Sequence, residues 1–293
     1  MTLSTVLGVD VGGTSIKARL VGVDGEVLGG WREPTPRDDP SGFATIATIA
    51  GLIEDASAIA AVGAVGLVVP GIVDEDLGVV IAAVNLGWVE LPIAALARAA
   101  FGIPVAFGQD VRAGALAESV SGAASGIDGT VAFIPVGTGL AAAFIVDGEP
   151  LVSGGWAGEI GQIVIAEGPF AGHRVEEIAS ASGVARRAGV ASALEAATLV
   201  RDGDVRATTA WQDTINVLAD SLAGICSTIA PTTIVIGGGL AESGALLFDP
   251  LEKALVARLG LARRPRLVAA THGEAAGVIG AVYLAQRMLG SRP

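Results

Sequence analysis

The apolar positions along the first 30 residues predict strands separated by tight turns. A strand from Val6 carries Asp10 near its end, Gly12-Gly13-Thr14 forms a turn, and a second strand runs from Ile16 to Val23. Asp24-Gly25 is a hairpin signal, with a third strand beginning at Glu26. Trp31 to Gly42 is polar, holds Pro34, Pro36 and Pro40, and reads as a surface loop. Ala44 to Ala61 has helical spacing. Val62 to Val69 is a nearly unbroken apolar run, as expected for a strand covered on both faces, and it stops at Pro70-Gly71. That stop leaves the Gly71 backbone open to close approach. Strands are further predicted at Val79 to Val84 and Ile103 to Phe107, and helices at Leu91 to Ala100 and Val111 to Val120.

Near Gly108 the pattern starts again. Thr130 to Pro135 reads as a strand, Val136-Gly137-Thr138-Gly139 as a turn, Leu140 to Val146 as a strand and Asp147-Gly148 as another hairpin signal. A long helix from Ala207 to Ala230, a buried strand at Ile234 to Ile236, a Gly237-Gly238-Gly239 loop and a helix from Ala245 to Leu259 follow. Strand, Gly-rich loop and helix also suit a dinucleotide fold, but the spacing departs from G-x-G-x-x-G and no acid-bearing strand follows at the right distance. An amphipathic last helix follows Gly273 to Ala281, whose small residues permit close packing.

Composition narrows this picture. In 293 residues, 52% are hydrophobic and 42 are glycine, about twice the usual share, which points to many tight turns in a packed chain of two domains. A formal net charge of −12 argues against a nucleic-acid partner, which needs a positive stripe. The single cysteine, Cys226, lies in an apolar helical pattern and reads as a buried, inert thiol; one cysteine excludes an internal disulfide and a four-cysteine zinc site. Mean hydropathy is positive (+0.64) and Ser221 to Ala241 is free of charge. Pro231, Thr232-Thr233 and the three glycines break that run, so a membrane span is not expected. No basic segment with an apolar signal core opens the chain, and a cytoplasmic location is expected.

Two groups have chemistry that residue type alone suggests. A Gly-Gly-Thr turn exposes backbone N–H groups and a hydroxyl that can wrap a phosphate, while Asp10 holds a hydrated cation beside it. Asp110, at a strand-to-helix junction, is either a helix N-cap or a base that accepts a hydroxyl proton. Asn85 is either a turn residue bonding its own backbone or a ligand contact.

The strand with Asp10, Gly12-Gly13-Thr14 and Lys17 resembles the first phosphate loop of the sugar kinase, actin and Hsp70 superfamily, and more narrowly that of the ROK family of sugar kinases and repressors. Gly137-Thr138-Gly139 resembles the second phosphate loop, and Pro231 to Gly239 the segment under the adenosine, with Gly237, Gly238 and Gly239 matching. The resemblance implies that Asn85, in Asn85-Leu86-Gly87-Trp88, and Gly71 lie at the sugar. It assigns Asp110 as the base, with Gln109 beside the sugar where the family has Asn, in a helix that reaches Glu118. In Glu159-Ile160-Gly161-Gln162 the family has Glu-x-Gly-His, whose Glu and His touch the sugar and whose His binds zinc. Here Gln162 replaces the His and no cysteine lies between Glu167 and Val175, so Glu159 and Gln162 are expected at the sugar and a structural zinc is not. Glu176 is expected to be a further sugar contact, with Glu177 a solvated charge and His173 a loop residue.

The resemblance therefore implies an α/β fold of two ribonuclease-H-like (actin-like ATPase) domains with an interdomain cleft. The expected domains are residues 1–107, completed by the last helix at about 281–293, and residues 108–280. It implies an ATP-dependent kinase that uses Mg2+, placed by Asp10 through water, and transfers the γ-phosphoryl group to a hexose hydroxyl, with the 6-hydroxyl of glucose first. Gly12, Gly13, Thr14, Gly137 and Thr138 would hold phosphate oxygens; Lys17 is a phosphate contact or an outward strand residue. N-Acetylmannosamine or N-acetylglucosamine as acceptor, polyphosphate as donor, and a non-catalytic sugar-sensing regulator are the alternatives. Against a repressor, the first phosphate loop begins within ten residues of Met1, with no helix-turn-helix before it. Family members are often dimers, so a homodimer is the expectation.

Overall fold

The computed structural model describes residues 5–290. It forms two units: residues 5–120, Leu151–Ala157 and 275–290 make the first, and Ser121–Pro150 with Gly158–Glu274 the second.

The first unit opens with β1 (Thr5–Val11), β2 (Ser15–Val21) and β3 (Val27–Pro34), an antiparallel meander. Helix α1 (Phe43–Ser57) leads to β4 (Val62–Val69), which lies parallel to β1. Three short strands, β5 (Ile72–Asp74), β6 (Val79–Ala83) and β7 (Trp88–Leu91), form a separate antiparallel sheet. Then come α2 (Ile93–Phe101), β8 (Val105–Gln109) parallel to β4, and α3 (Asp110–Val120). The main sheet has the order β3-β2-β1-β4-β8. One face is sealed by α1 and α2 through Leu7, Val9, Ile49, Leu67 and Ile93, each such buried side chain stabilising the fold by roughly 1.5–3 kcal/mol.

The second unit repeats that plan with β9 (Val131–Pro135), β10 (Ala143–Val146) and β11 (Glu149–Pro150) as its meander. Four helices follow: α4 (Val175–Ala179), α5 (Ala181–Ala188), α6 (Ala193–Arg201) and the long α7 (Val205–Thr228). Strand β12 (Thr233–Gly237) pairs parallel to β9; after α8 (Ala245–Val256), β13 (Arg266–Ala269) pairs parallel to β12. The order β11-β10-β9-β12-β13 is that of the first sheet, so the repeat read from the two Gly-Thr turns extends to the whole topology of both α/β units. Ile134, Leu218, Leu222, Ile236, Leu247 and Leu251 are fully buried in its core.

The last helix, α9 (Ala276–Met288), belongs to the first unit. It lies on the other face of the main sheet, and glycines set how closely. A methyl group at Gly66 would fall 1.8 Å from the Ala281 carbonyl oxygen, and one at Gly8 2.6 Å from that of Val278. Across the helix, a methyl at Gly280 would meet the Ala113 carbonyl oxygen of α3 at 2.0 Å.

That packing explains why the first unit extends past the expected boundary after residue 107: α3 is clamped by α9 and stays with it. The last helix likewise starts at Ala276, five residues before 281, because Gly277 and Gly280 are used inside it for contact rather than as a break. Three further expectations are corrected. Trp31 to Pro34 is strand, and the loop after it is pinned: Thr35 and Asp39 are buried. Strand β10 begins at Ala143 rather than Leu140, because the Ala142 N–H leaves the sheet to bond the Gly158 carbonyl at 2.8 Å. Segment Leu151–Ala157 joins the first unit, where a methyl on Gly155 would lie 2.4 Å from the Val73 carbonyl oxygen.

Candidate active site

In the first unit the Gly12–Thr14 turn caps the β1–β2 hairpin, with Gly12 N–H bonded to the Ser15 carbonyl at 2.9 Å. Gly13 and Thr14 are exposed. The turn is held from behind by Thr35, whose hydroxyl donates to the Gly12 carbonyl at 2.6 Å and whose N–H bonds the Thr14 carbonyl at 3.1 Å. Asp10 stands at the end of β1, across from Lys17 in the strand register. Burial pushes its carboxyl up to about 6, against the lowering effect of the Lys17 charge. Part of that burial comes from the first turn of α9, where a methyl on Gly277 would sit 2.7 Å from Asp10 Oδ2. A desolvated carboxylate of this kind gains from a hard cation, and its oxygens are the donors magnesium prefers; Asp10 fits that role.

Asn85 lies in a short 3₁₀ turn directly after β6 and is exposed. Its side chain is beside the Gly12–Thr14 turn: a methyl on Gly13 would be 3.4 Å from Asn85 Cβ. Gly71 has φ 101°, and a methyl there would lie 2.2 Å from the Ala82 carbonyl oxygen, so only glycine admits β6 at this distance. Trp88 is buried and donates its indole N–H to the Asp39 carbonyl at 2.7 Å. Asp39 in turn accepts from Thr45 N–H at 2.8 Å at the start of α1. Burial raises the Asp39 pKa, but bonds from Thr45, Ala44 and Ser41 outweigh it and hold the carboxyl below its ordinary value.

At the β8–α3 junction two side chains bond the start of the helix. Gln109, not Asp110, caps the helix: its Oε1 accepts the Arg112 N–H at 2.8 Å. Gln109, the residue expected beside the sugar, is buried, and its side-chain carbonyl satisfies an orphan donor of the helix. Asp110 occupies the first helical position, with Oδ1 accepting from Val111 N–H at 2.8 Å. The junction is tied down by Glu75, which sequence reasoning missed. Its Oε1 accepts from Gln109 N–H at 3.0 Å and from Arg112 Nε at 2.7 Å.

In the second unit, Gly137, Thr138 and Gly139 form the turn after β9, closed by a Val136–Leu140 bridge. The Gly237–Gly239 loop lies directly against it. Val136 N–H bonds the Gly237 carbonyl at 2.9 Å, and a methyl on Gly238, whose φ is 76°, would collide with the Val136 carbonyl oxygen at 2.5 Å. A cavity of about 360 Å³ opens from these loops, lined by Gly137, Thr138, Gly239, Ser182, Ser192 and Glu242 among others.

Glu176 is half-buried at the start of α4, beside the same turn: a methyl on Gly139 would lie 3.0 Å from its Oε2. Its Oε1 accepts from Gln162 Nε2 at 2.9 Å, and Gln162 Oε1 accepts from Arg174 Nη1 at 3.1 Å. Gln162 and Glu176 are thus brought together, with Arg174 between them and Glu177. Glu177 is paired with His173 at 2.9 Å and with Arg174 at 3.2 Å, and those partners, His173 first, hold its carboxyl below its ordinary value. Glu159 is half-buried, next to the short helical turn that carries Gln162. Among the described residues, no group of three His, Cys, Asp or Glu side chains is arranged to hold a metal ion, and no helix is long and apolar enough to cross a membrane.

Thr35, Asp39, Glu75 and Arg112 are the supports that sequence reasoning missed. For Asp39 a signal exists: Asp39-Pro40-Ser41 stands just before an apolar helical pattern, where a capping residue belongs. Nothing local marks the other three.

The sequence model of the ROK family matches residues 6–288. The chain is 31% identical to a glucokinase of Halalkalibacterium halodurans, covering 96% of this chain and 94% of that one. The ROK hexokinase structure from Thermus thermophilus matches with a TM-score of 0.84 at 27% identity, covering 98% of this chain and 99% of that one. A ROK family glucokinase from Streptomyces griseus, solved in complex with glucose and AMPPNP, matches with a TM-score of 0.81 at 27% identity over 97% of this chain and 99% of that one.

Proposed function

Since this chain belongs to the ROK family, we propose that it is an ATP-dependent sugar kinase that transfers the γ-phosphoryl group to a hexose, with the 6-hydroxyl of glucose as acceptor. The observation that carries this reading is an adjacency found in each unit. Asn85 abuts Gly13 of one phosphate turn, and Glu176 abuts Gly139 of the other, so groups suited to sugar hydroxyls stand beside groups suited to phosphate oxygens. Glucokinase relatives support glucose as acceptor.

In this mechanism the Asp110 carboxylate accepts the proton of the attacking hydroxyl, which is a poor nucleophile without a base. Gly12, Gly13, Thr14, Gly137, Thr138 and Gly139 offer N–H and hydroxyl donors to phosphate oxygens, with Lys17 a nearby positive charge. Gly239 lines the 360 Å³ cavity, which would take the nucleoside, and Gly237 and Gly238 carry the loop that leads to it. Gly71, Asn85, Glu159, Gln162 and Glu176 orient the sugar, the carboxylates accepting from hydroxyl donors. Asp10 is the residue that would hold magnesium through water, and the ion would supply neutralisation of phosphate charge. With Gln162 where the family has a zinc-binding His, we expect no structural zinc, so a zinc chelator should leave Tm unchanged. We read the protein as a cytoplasmic homodimer, which sedimentation tests.

ADP release measured with ATP and magnesium over a panel of hexoses and N-acetylhexosamines tests the reading. Glucose-dependent release is expected. Release with an N-acetylhexosamine alone would change the acceptor, and saturable sugar binding without any release would make the chain a sensor.

A further inference from the structure

Arg112 is the most deeply buried cation in the site region, with only 3% of its surface exposed, and the mechanism above gives it no task. Every bond it makes runs to a segment that carries a sugar or base candidate. Its backbone N–H goes to Gln109 Oε1 at 2.8 Å, its Nε to Glu75 Oε1 at 2.7 Å and its Nη2 to the Val73 carbonyl at 2.9 Å. Glu75 Oε1 receives a second donor, Gln109 N–H, at 3.0 Å. Glu75 follows β5, the strand that pairs with β6, and β6 leads straight into Asn85. Gly71, at the other end of β5, packs on β6 through Ala82.

These bonds join two pieces that share no sheet. One is the three-stranded sheet with Gly71 and Asn85; the other is the β8–α3 junction with Asp110. A buried ion pair is a poor means of gaining stability, since apolar residues of like volume often serve as well, but its directional bonds fix relative position. We propose that Glu75 and Arg112 are positioning residues which set the base Asp110 against the sugar held at Asn85. This rests on the reading of Asp110 as the base. The proton transfer needs the hydroxyl oxygen within hydrogen-bond reach of the carboxylate, and a displacement of about 1 Å at such a junction costs about 100-fold in rate.

The test compares Glu75→Gln, Arg112→Met and the apolar pair Glu75→Leu/Arg112→Met with wild type and Asp110→Asn, reading Tm, kcat and KM for sugar and ATP. Glu75→Gln retains the acceptor oxygen and should keep kcat within about threefold. Arg112→Met alone leaves Glu75 without its partner and should lower both Tm and kcat. The apolar pair should regain most of the Tm while kcat stays about 30–100-fold down and KM for ATP does not move, a split that a merely structural pair would not give. Turnover within threefold of wild type in the folded apolar pair would sink the positioning role alone. Full turnover by Asp110→Asn would sink the assignment of the base and this role with it, and no turnover by wild type with any sugar would sink the proposed function.

Discussion

The two Gly-Thr turns sit at the same place in the same strand order, yet they are built differently. In the first unit the turn is braced by a neutral threonine, faces Asp10 and Lys17, and has Asn85 at its side. In the second, no carboxylate stands on the strand before the turn; the turn leans on a glycine loop, borders a cavity of about 360 Å³ and has Glu176 at its side. A repeated topology thus places the two Gly-Thr turns alike, and the residues around each copy differ. In the proposed function the first unit would supply the groups for a cation and a base, the second the space for a nucleoside and an anionic partner for sugar hydroxyls.

The sharpest break of this contrast is Asp10→Asn. Turnover should fall by about 10²–10³, as for loss of a charge that organises phosphate. Stability should move the other way. Because the folded carboxyl titrates near 6 and an unfolded one near 3.8, Asp10 favours the fold below pH 3.8, and that contribution is lost as pH rises through 6. At pH 7–8 without magnesium the Asn variant should therefore be more stable, by at most about 3 kcal/mol, with little difference at pH 4. Thermal melts at the two pH values check the sign; a variant less stable at pH 8 would contradict the burial argument.

Glu176→Gln separates the units next. Losing a charged acceptor of a sugar hydroxyl should raise KM for the sugar about 10-fold or more and leave KM for ATP near its wild-type value. A rise confined to ATP would assign Glu176 to the donor instead. Smallest is Asp39→Ala, which removes the side-chain acceptor of the Thr45 N–H at the start of α1: a loss of about 1 kcal/mol, seen as a Tm drop of about 2–4 °C with kcat retained. Its lowered pKa means that the benefit is present above about pH 4 and disappears as pH falls through the folded value, so variant and wild type should converge in acid.

What was legible in the sequence follows from distance along the chain. Both Gly-Thr turns, the Asp-Gly hairpins and the strand-to-helix junction at Asp110 are written in adjacent residues, because turn chemistry is local. The supports are not. Thr35 braces Gly12 from 23 positions away, Arg112 reaches Glu75 across 37, and Trp88 reaches Asp39 across 49. Gln109 shows the same limit at short range: nothing in the sequence marks the bond that its side chain accepts from the Arg112 N–H, three positions on. The sheet of β5, β6 and β7 was half visible, since β5 has three residues and β7 four, too few for a period to emerge.

The most direct test of the account is single-turnover transfer of label from γ-labelled ATP to glucose by wild type and Asp110→Asn, with binding of both substrates followed by calorimetry. The account predicts labelled sugar phosphate from wild type, and from the variant intact binding with transfer slowed about 10²–10⁴-fold. Transfer by Asp110→Asn at the wild-type rate would contradict it.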